Sequence, residues 1–270
     1  MKFSLTNEFK KNLKVAIDTK DIKFIKSSFE GISPADISEL LYEFDSIQSK
    51  YVLDNIDKET ASKIITELDE DTRQSFLTYF DSSEISKYLE IIDSDDGADI
   101  LSELTSEDRI EVISFIEDKE KAENLKDLLQ YDDDVAGGLM AKEYVKCNVN
   151  WKISQCINLI KKQAEKVSKI YSVYVTDDQG KLLGMVSLKD IIVAGDNSRI
   201  KDIYDDYVIS VYSNMNEEDI AIIMQKYDLD ALPVINKRGK LIGRITIDDI
   251  VDVMKETAEE ERQIMSGITS

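Results

Sequence analysis

A duplicated segment in the second half of the chain constrains its fold more than any other feature. The run Gly180–Ile191 (GKLLGMVSLKDI) recurs as Gly239–Ile250 (GKLIGRITIDDI). An apolar run precedes each copy and a helix-like stretch comes after it. A unit of about 55 residues that occurs twice predicts two half-domains packed on each other, with any ligand site at the seam between them.

Each copy has the pattern of a β-hairpin followed by a helix. Strands are predicted at Tyr171–Thr176, Leu182–Ser187, Ala231–Ile235 and Leu241–Ile247, with turns at DDQG and NKRG. Helices are predicted at about 153–166, 187–194, 216–228 and 246–262. Pro233 lies within a strand pattern and favours an edge position or the first residues of that strand.

The first half of the chain is helical and repeats with a period of 12 residues. Only Gly31 and Gly97 occur before residue 137. The repeats start at helix-capping residues: Ser33, Asp45, Asp57, Asp69, Asp81, Asp93 and Thr105. Positions +7, +8 and +11 of every repeat are apolar, which is one face of a helix. We therefore predict a right-handed α-helical solenoid over about 33–130, preceded by an amphipathic helix around 7–29.

Composition excludes several classes of protein. The net charge of -21 disfavours nucleic acid and anionic lipid as partners and favours cations, although a merely solubilising surface is the simpler interpretation. There is no histidine, and the two cysteines, Cys147 and Cys156, are too few for a disulfide framework and lack the CxxC spacing of a metal site. No catalytic constellation is present, so we expect no enzyme. The absence of a signal peptide and of a long apolar run predicts a soluble, cytoplasmic chain as given.

Two motifs within the repeats resemble a known family. Gly-x-x-Ser/Thr-x-x-Asp occurs at Gly184/Ser187/Asp190 and again at Gly243/Thr246/Asp249, and this duplication resembles a tandem pair of CBS (cystathionine β-synthase) domains. The preceding YDDDVAGGLM at 131–140, with Glu143-Tyr144-Val145, looks like the junction between the N domain and the CBS domains of MgtE-type magnesium transporters.

The resemblance covers the chain from about residue 30 to its end and implies a multidomain α and α+β fold. It implies a helical N domain at 1–130, CBS domains at 131–198 and 199–254, and the start of a connecting (plug) helix at 249–270. The family's membrane-spanning domain is absent from this sequence.

Carboxylates are the candidate metal ligands. Asp95 and Asp99 share a helix face, and a second acidic stripe runs along the last predicted helix. Oxygen ligands without His or Cys suit Mg²⁺ or Ca²⁺, and no EF-hand loop is present. The resemblance implies that Asp95 and Asp99 face Asp249 and Asp252, and that Glu218 and Asp228 bind further Mg²⁺. The predicted metal ligands are Asp95, Asp99, Glu218, Asp228, Asp249, Asp252, Glu256 and Glu260; the alternative is a solvated acidic face.

Nucleotide is the second candidate ligand. In CBS pairs the Ser/Thr-x-x-Asp motif can hold a ribose, which would implicate Ser187, Asp190 and Thr246, with Lys189 near phosphate. The resemblance thus allows ATP or another adenine nucleotide, with Asp190 favoured over Asp249 because Asp249 cannot serve both ribose and Mg²⁺. Tyr171, Tyr174 and Tyr227 could stack on a base, although core positions are commoner for such tyrosines.

The resemblance implies a Mg²⁺-sensing regulatory region at the cytoplasmic face of the cell membrane. It would form a homodimer through its CBS domains and would gate the membrane pore domain of the same protein, with no nucleic acid as partner. One alternative is a soluble adenine-nucleotide sensor that docks a partner protein. Another is a purely structural helical scaffold.

Overall fold

The computed structural model describes residues 6–163, 170, 172–195, 198–251 and 253–254. The chain divides into two compact units. The first comprises residues 1–92 and 96–123, and the second comprises 93–95 and 124–270.

The region up to residue 128 is a succession of short helices. Their bounds are α1 Asn7–Asp18, α2 Ile22–Phe29, α3 Pro34–Leu41, α4 Ser46–Asn55, α5 Lys58–Thr66, α6 Glu70–Leu77, α7 Ser82–Leu89, α8 Ser94–Ser102, α9 Ser106–Phe115 and α10 Lys119–Leu128. The predicted helical array is therefore confirmed. The single helix predicted around 7–29 is wrong, because Lys20 adopts a left-handed conformation (φ 57°) and Asp21 caps a separate α2.

The predicted starting residues cap these helices. The side chains of Asp45, Asp57, Asp69, Asp81 and Thr105 each accept a hydrogen bond from the backbone N–H three residues later. Such a bond satisfies one of the N–H groups that lack a partner inside the helix. Ser33 is also an N-cap, although its side chain makes no cap bond there, and Pro34 follows at the start of α3.

The apolar positions of the 12-residue repeat form the core of the first unit. Ile64, Leu89 and Val112, for example, are fully buried. Helices two apart pack against each other, as α3 does with α5, α5 with α7, and α7 with α9. Two sequence repeats thus build one structural repeat, because a single short helix cannot bury its apolar face alone.

The second unit contains two sheets of the same design. Its strands are β1 Val145–Asn148, β2 Val173–Thr176, β3 Leu182–Val186, β4 Val211–Tyr212, β5 Ala231–Ile235 and β6 Leu241–Thr246. Within each sheet, β1-β2-β3 or β4-β5-β6, the first strand is parallel and the third antiparallel to the middle one. The helices are α11 Ile153–Gln163, α12 Leu188–Val193 and α13 Glu217–Tyr227, and residues 247–251 are also helical. The connecting helix was predicted at 249–270, and its residues beyond 254 lie outside the part of the chain that the structure describes.

The segment that leads into each half of the second unit pairs with the last strand of the other half. Asp205, which leads into the second half, exchanges backbone hydrogen bonds with Met185 of β3 at 2.8 and 2.9 Å. Ala141, which leads into the first half, does the same with Arg244 of β6 at 2.8 and 3.0 Å. The motif glycines Gly184 and Gly243 permit these crossings, because a Cβ there would collide with the Asp205 carbonyl or the Met140 side chain.

Candidate functional site

A cavity of about 160 Å³ opens between the two halves of the second unit. Its walls come from both sheets and from the turn that links α13 to β5. The lining residues are Ser172, Tyr174, Met185, Val208, Ile209, Asp228, Leu229, Asp230, Ala231 and Pro233. The duplication in the sequence predicted a site at such a seam.

Two carboxylates define the chemistry of this cavity. Asp228 ends α13 in a left-handed conformation (φ 52°), and Asp230 lies two residues on, before β5. Among the lining residues that the structure describes, these two are the charged ones. Carboxylates accept hydrogen bonds from hydroxyl groups, so this end of the cavity suits a sugar better than a phosphate.

Tyr174 forms an aromatic wall. The residue is 2% exposed, and its ring meets Tyr144 edge-on, with ring centroids 6.2 Å apart. Burial raises the pKa of both phenols to about 12. Tyr174 therefore contributes both to the core and to the cavity, although tyrosines of this kind were expected mainly in the core. Tyr171 lies outside the described residues.

The predicted ribose ligands of the first motif do not line this cavity. Ser187 caps α12 through the Asp190 N–H at 3.0 Å and donates to the Asp190 carboxylate at 2.6 Å, and both residues are exposed. Lys189 is exposed beside them. In this structure the first motif stabilises a helix start and leaves its carboxylate open to solvent.

The second motif has the same local geometry, but Thr246 is buried and Asp249 is half-buried. The Asp249 carboxylate accepts hydrogen bonds from the N–H and hydroxyl of Thr246, both at 2.8 Å. Burial, reinforced by the neighbouring Asp248, raises the Asp249 pKa to about 6, although the bonds from Thr246 and the charge of Arg244 act in the opposite direction. A carboxylate held this way is poised between its charged and neutral forms near neutral pH.

Arg244 is a buried cation of the second unit. Its guanidinium donates to the Glu143 carbonyl at 2.6 Å and to the Asp93 carboxylate at 3.1 Å. Glu143 in turn accepts from the N–H and hydroxyl of Ser94. The segment 93–95 belongs to the second unit because of this network. The sequence analysis placed Asp93 at a helix start, Glu143 in the junction motif and Arg244 in the duplicated segment, but it did not predict that these residues contact one another.

The predicted metal ligands lie on several elements. Asp95 (half-buried) and Asp99 (exposed) are one turn apart on α8. Glu218, in the first turn of α13, and Asp228, at its other end, are separated by about 15 Å of helix, so they cannot share one ion within a chain.

No group of three or more metal-binding side chains converges among the residues that the structure describes. Asp252, Glu256 and Glu260 lie outside those residues. A Mg²⁺ site built from the predicted acids would therefore need carboxylates from more than one element, because no single described element supplies enough of them.

The cavity residues outside the motifs carry a weak signal in the repeat itself. Tyr174 and Pro233 occupy equivalent positions of the two copies, and so do Met185 and Arg244. The equivalent residues Tyr174 and Pro233 both line the cavity, so an alignment of the two copies brings these two seam residues together.

Family models match both parts of the chain. The model of the MgtE intracellular N domain matches residues 32–134, and the CBS domain model matches 135–196 and 200–256. The magnesium transporter MgtE of Enterococcus faecalis is 37% identical over 149 residues, which are 55% of this chain and 33% of that protein. MgtE of Thermus thermophilus is 36% identical over 134 residues, 50% of this chain and 30% of that protein. The matched segments thus span about a third of these curated relatives.

Two solved structures share the fold over nearly the whole chain. A crystal structure of the soluble part of a magnesium transporter has a TM-score of 0.83 and 27% identity, covering 93% of this chain and 98% of the other. The cytosolic domain of the Mg²⁺ channel MgtE in complex with ATP also has a TM-score of 0.83, with 29% identity and coverage of 90% and 99%. None of the helices in the described part of the chain has the length and apolar character that crossing a bilayer requires. With a helical MgtE N domain followed directly by two CBS domains, the chain belongs to the MgtE family and corresponds to its cytosolic region.

Proposed function

We propose that this chain is the Mg²⁺-sensing regulatory region of a magnesium transporter and acts at the cytoplasmic face of the membrane, without enzymatic activity. The observation that carries the proposal is the order of the two family matches, an MgtE N domain and then two CBS domains, joined to the fold similarity with the soluble part of a magnesium transporter. We propose that it gates a membrane pore domain of the same protein, as the fold similarity to the soluble part of a magnesium transporter suggests.

The proposed mechanism is electrostatic. Fifty-five acidic residues against 34 basic ones make carboxylates abundant on both units. Acidic faces repel each other, and divalent cations bound between them reverse the sign of that interaction. We propose that Mg²⁺ binds between Asp95 and Asp99 of α8 and Asp249 and Asp252 of the CBS pair, so that high Mg²⁺ favours a closed, non-conducting arrangement.

Small-angle X-ray scattering of the purified chain tests this mechanism. Mg²⁺ is titrated at constant ionic strength, with Na⁺ as the matched control. We expect the radius of gyration to fall at millimolar Mg²⁺ and to stay constant in Na⁺. An unchanged radius in Mg²⁺ would refute the closure mechanism.

Neutralising variants identify the ligands. Asp95→Asn with Asp99→Asn should shift the midpoint of compaction to at least about tenfold higher Mg²⁺, because two of the proposed ligands lose their charge. Asp36→Asn with Glu39→Gln, on α3, removes the same number of charges from a helix outside the proposal. An equal shift in both double variants would show that only net charge matters.

A nucleotide at the seam is the second proposed ligand. The cavity of about 160 Å³ is smaller than the roughly 300 Å³ at which drug-sized pockets begin, so it suits the ribose or the base and leaves phosphates outside. The relative whose cytosolic domain was solved with ATP supports an adenine nucleotide as the ligand class. We propose that Asp228 and Asp230 accept from ribose hydroxyls.

Calorimetric titration with adenosine, AMP and ATP tests this assignment. Asp230→Asn should weaken binding about tenfold, the value of one charge-assisted hydrogen bond. Asp190→Asn distinguishes the two ribose hypotheses, because Asp190 belongs to the exposed motif and not to the cavity. Micromolar nucleotide binding without Mg²⁺-linked compaction would favour the alternative of a soluble nucleotide sensor that docks a partner protein.

A homodimer through the CBS domains is the third part of the proposal. Exposed aliphatic side chains lie on helices of the second unit: Ile192 and Val193 on α12 are 78% and 77% exposed, and Ile222 on α13 is 52% exposed. Apolar side chains on several helices of one unit favour burial against a second copy. Ile192→Glu should raise the dimer dissociation constant in analytical ultracentrifugation, whereas Ile110→Glu, an equally exposed site on α9, should not.

A further inference from the structure

The two cysteines of the chain lie together in the core of the first CBS half. Cys147 is in β1 and Cys156 is the fourth residue of α11, and their side chains are 1% and 0% exposed. Both belong to one apolar cluster, and the two thiols are hydrogen-bonded to each other. The segment between them includes the turn from strand to helix, so the contact is created by folding and not by sequence proximity.

The contact makes the two thiols chemically different. The hydrogen bond from Cys147 lowers the pKa of Cys156, against the opposing effect of burial, and raises that of Cys147. The position of Cys156 in the first turn of α11 acts in the same direction, because a helix N-terminus favours negative charge. Cys156 is therefore the nucleophile of the pair and Cys147 its partner.

We propose that Cys147 and Cys156 form a reversible disulfide, which makes the β1–α11 unit a modification site for oxidants of the peroxide class. The Cys156 thiolate attacks the peroxide O–O bond, which yields a sulfenic acid and releases one oxygen as water. The sulfur of Cys147 then attacks the sulfenic sulfur, an S–S bond forms, and the second oxygen leaves as water. Two thiols and one hydrogen peroxide thus become one disulfide and two waters.

The disulfide would link α11 to β1, the strand that pairs with β2 beside the cavity. Cys147 pairs in register with Val175 of β2, the neighbour of the cavity residue Tyr174. A covalent link between β1 and α11 would restrain the strand beside this wall. The proposal does not depend on the proposed magnesium or nucleotide functions.

Mass spectrometry of the intact native chain tests the proposal. Hydrogen peroxide should lower the mass of the reduced chain by about 2 Da, the loss of two hydrogen atoms, and dithiothreitol should restore it. Trypsin should then release one disulfide-linked pair of peptides, CNVNWK (147–152) with ISQCINLIK (153–161). The reaction should be slow, because both thiols are buried and the oxidant must wait for local opening.

Two variants separate the roles of the thiols. Cys147→Ser leaves Cys156 without a resolving partner, so its mass should rise by about 16 Da or a multiple of it. Cys156→Ser removes the nucleophile and should keep the reduced mass several times longer than Cys147→Ser does. A native chain that stays at its reduced mass, or that gains oxygen without forming the linked peptides, would overturn the proposal.

Discussion

Asp249 combines partial burial with a hydrogen-bonded motif, and this combination makes its contribution to the stability of the second unit depend on pH. Its folded pKa of about 6 lies above the ordinary value of 3.8. Between these values the folded state binds more protons than the unfolded state, so the free energy of unfolding falls as pH rises from about 4 to about 6. The ionised carboxylate therefore costs stability at neutral pH, by about 3 kcal/mol.

Asp249→Asn should remove this cost. The amide oxygen can still accept from Thr246, but it carries no charge to desolvate. Urea denaturation in the presence of a chelator should show the variant to be more stable than the wild type at pH 7 and about equal at pH 4. A stability difference between the variant and the wild type that does not grow between pH 4 and pH 7 would contradict the interpretation.

Gly184 and Gly243 occupy equivalent positions but face different neighbours. A Cβ at Gly184 would strike the backbone carbonyl of Asp205, whereas one at Gly243 would lie 2.5 Å from the flexible side chain of Met140. The Sδ and Cγ of Met140 can rotate away, although its Cβ would remain 2.9 Å from the new methyl group and Met140 is fully buried, whereas the paired backbone of Asp205 cannot move. Gly184→Ala should therefore lower the free energy of unfolding by about 3 kcal/mol and Gly243→Ala by about 1 kcal/mol, measured by chemical denaturation. Equal losses of unfolding free energy in the two variants would show that the Asp205 backbone and the Met140 side chain move aside equally easily.

At the level of single residues, the sequence predicted local chemistry better than tertiary position. The pairing of a hydroxyl with a carboxylate in both motifs follows from their three-residue spacing. The spacing does not predict that the first motif is exposed and the second partly buried. The partial burial of Asp249 depends on residues that are distant in the sequence. The cavity residues Asp228 and Asp230 lie outside the two motifs that predicted a ribose site.

Helix capping in the first unit offers a test at the level of elements. Asp57 accepts from the Thr60 N–H at 2.8 Å, and this bond lowers its pKa, whereas Ser33 makes no side-chain cap bond. Asp57→Ala should cost about 1 kcal/mol at pH 7, followed by circular dichroism in urea, and Ser33→Ala at most a few tenths.

The sign of the pH effect at this cap is opposite to that at Asp249. Because the folded pKa of Asp57 is depressed, its contribution is present above the ordinary pKa of 3.8 and is lost as pH falls through the folded value. The difference between the wild type and Asp57→Ala should therefore shrink in acid. A difference that grows in acid would exclude the cap bond as its cause.

The elements themselves were largely predictable, because caps and apolar spacing are local signals. The break between α1 and α2 was not, since Lys20 is no glycine and yet takes the left-handed conformation. Pro233 was expected at an edge or among the first residues of its strand, and it is the third residue of β5, the middle strand of its sheet. It is tolerated there because β4 is short and pairs with β5 only from Val234 onward.

For the whole molecule, the division into two units predicts that damage to one core stays local. Leu89 of α7 and Val175 of β2 are both fully buried, each in its own unit. Leu89→Ala should cost about 3 kcal/mol, and hydrogen exchange followed by mass spectrometry should show lost protection within the first unit. Val175→Ala should do so within the second unit. Protection lost throughout the chain in either variant would indicate a single cooperative unit.

The proposed switch also has a requirement in free energy. Moving a two-state equilibrium from 1:99 to 99:1 takes about 5.5 kcal/mol, whereas one state-selective site at a hundredfold its dissociation constant supplies about 2.7 kcal/mol. At least two Mg²⁺ ions are therefore needed. Ligands dispersed over several helices, as Asp95, Glu218 and Asp249 are, agree with more than one site.

The paired backbone bonds between Ala141 and Arg244 give the second unit a mechanical property. They connect the segment that enters the second unit to β6, the last strand before the helix at 247–251. Tension applied upstream of Ala141 is therefore delivered to that departing helix across two hydrogen bonds, without crossing the long stretch of chain between the two residues. The unit behaves as a short, stiff coupling between the chain that enters it and the chain that leaves it.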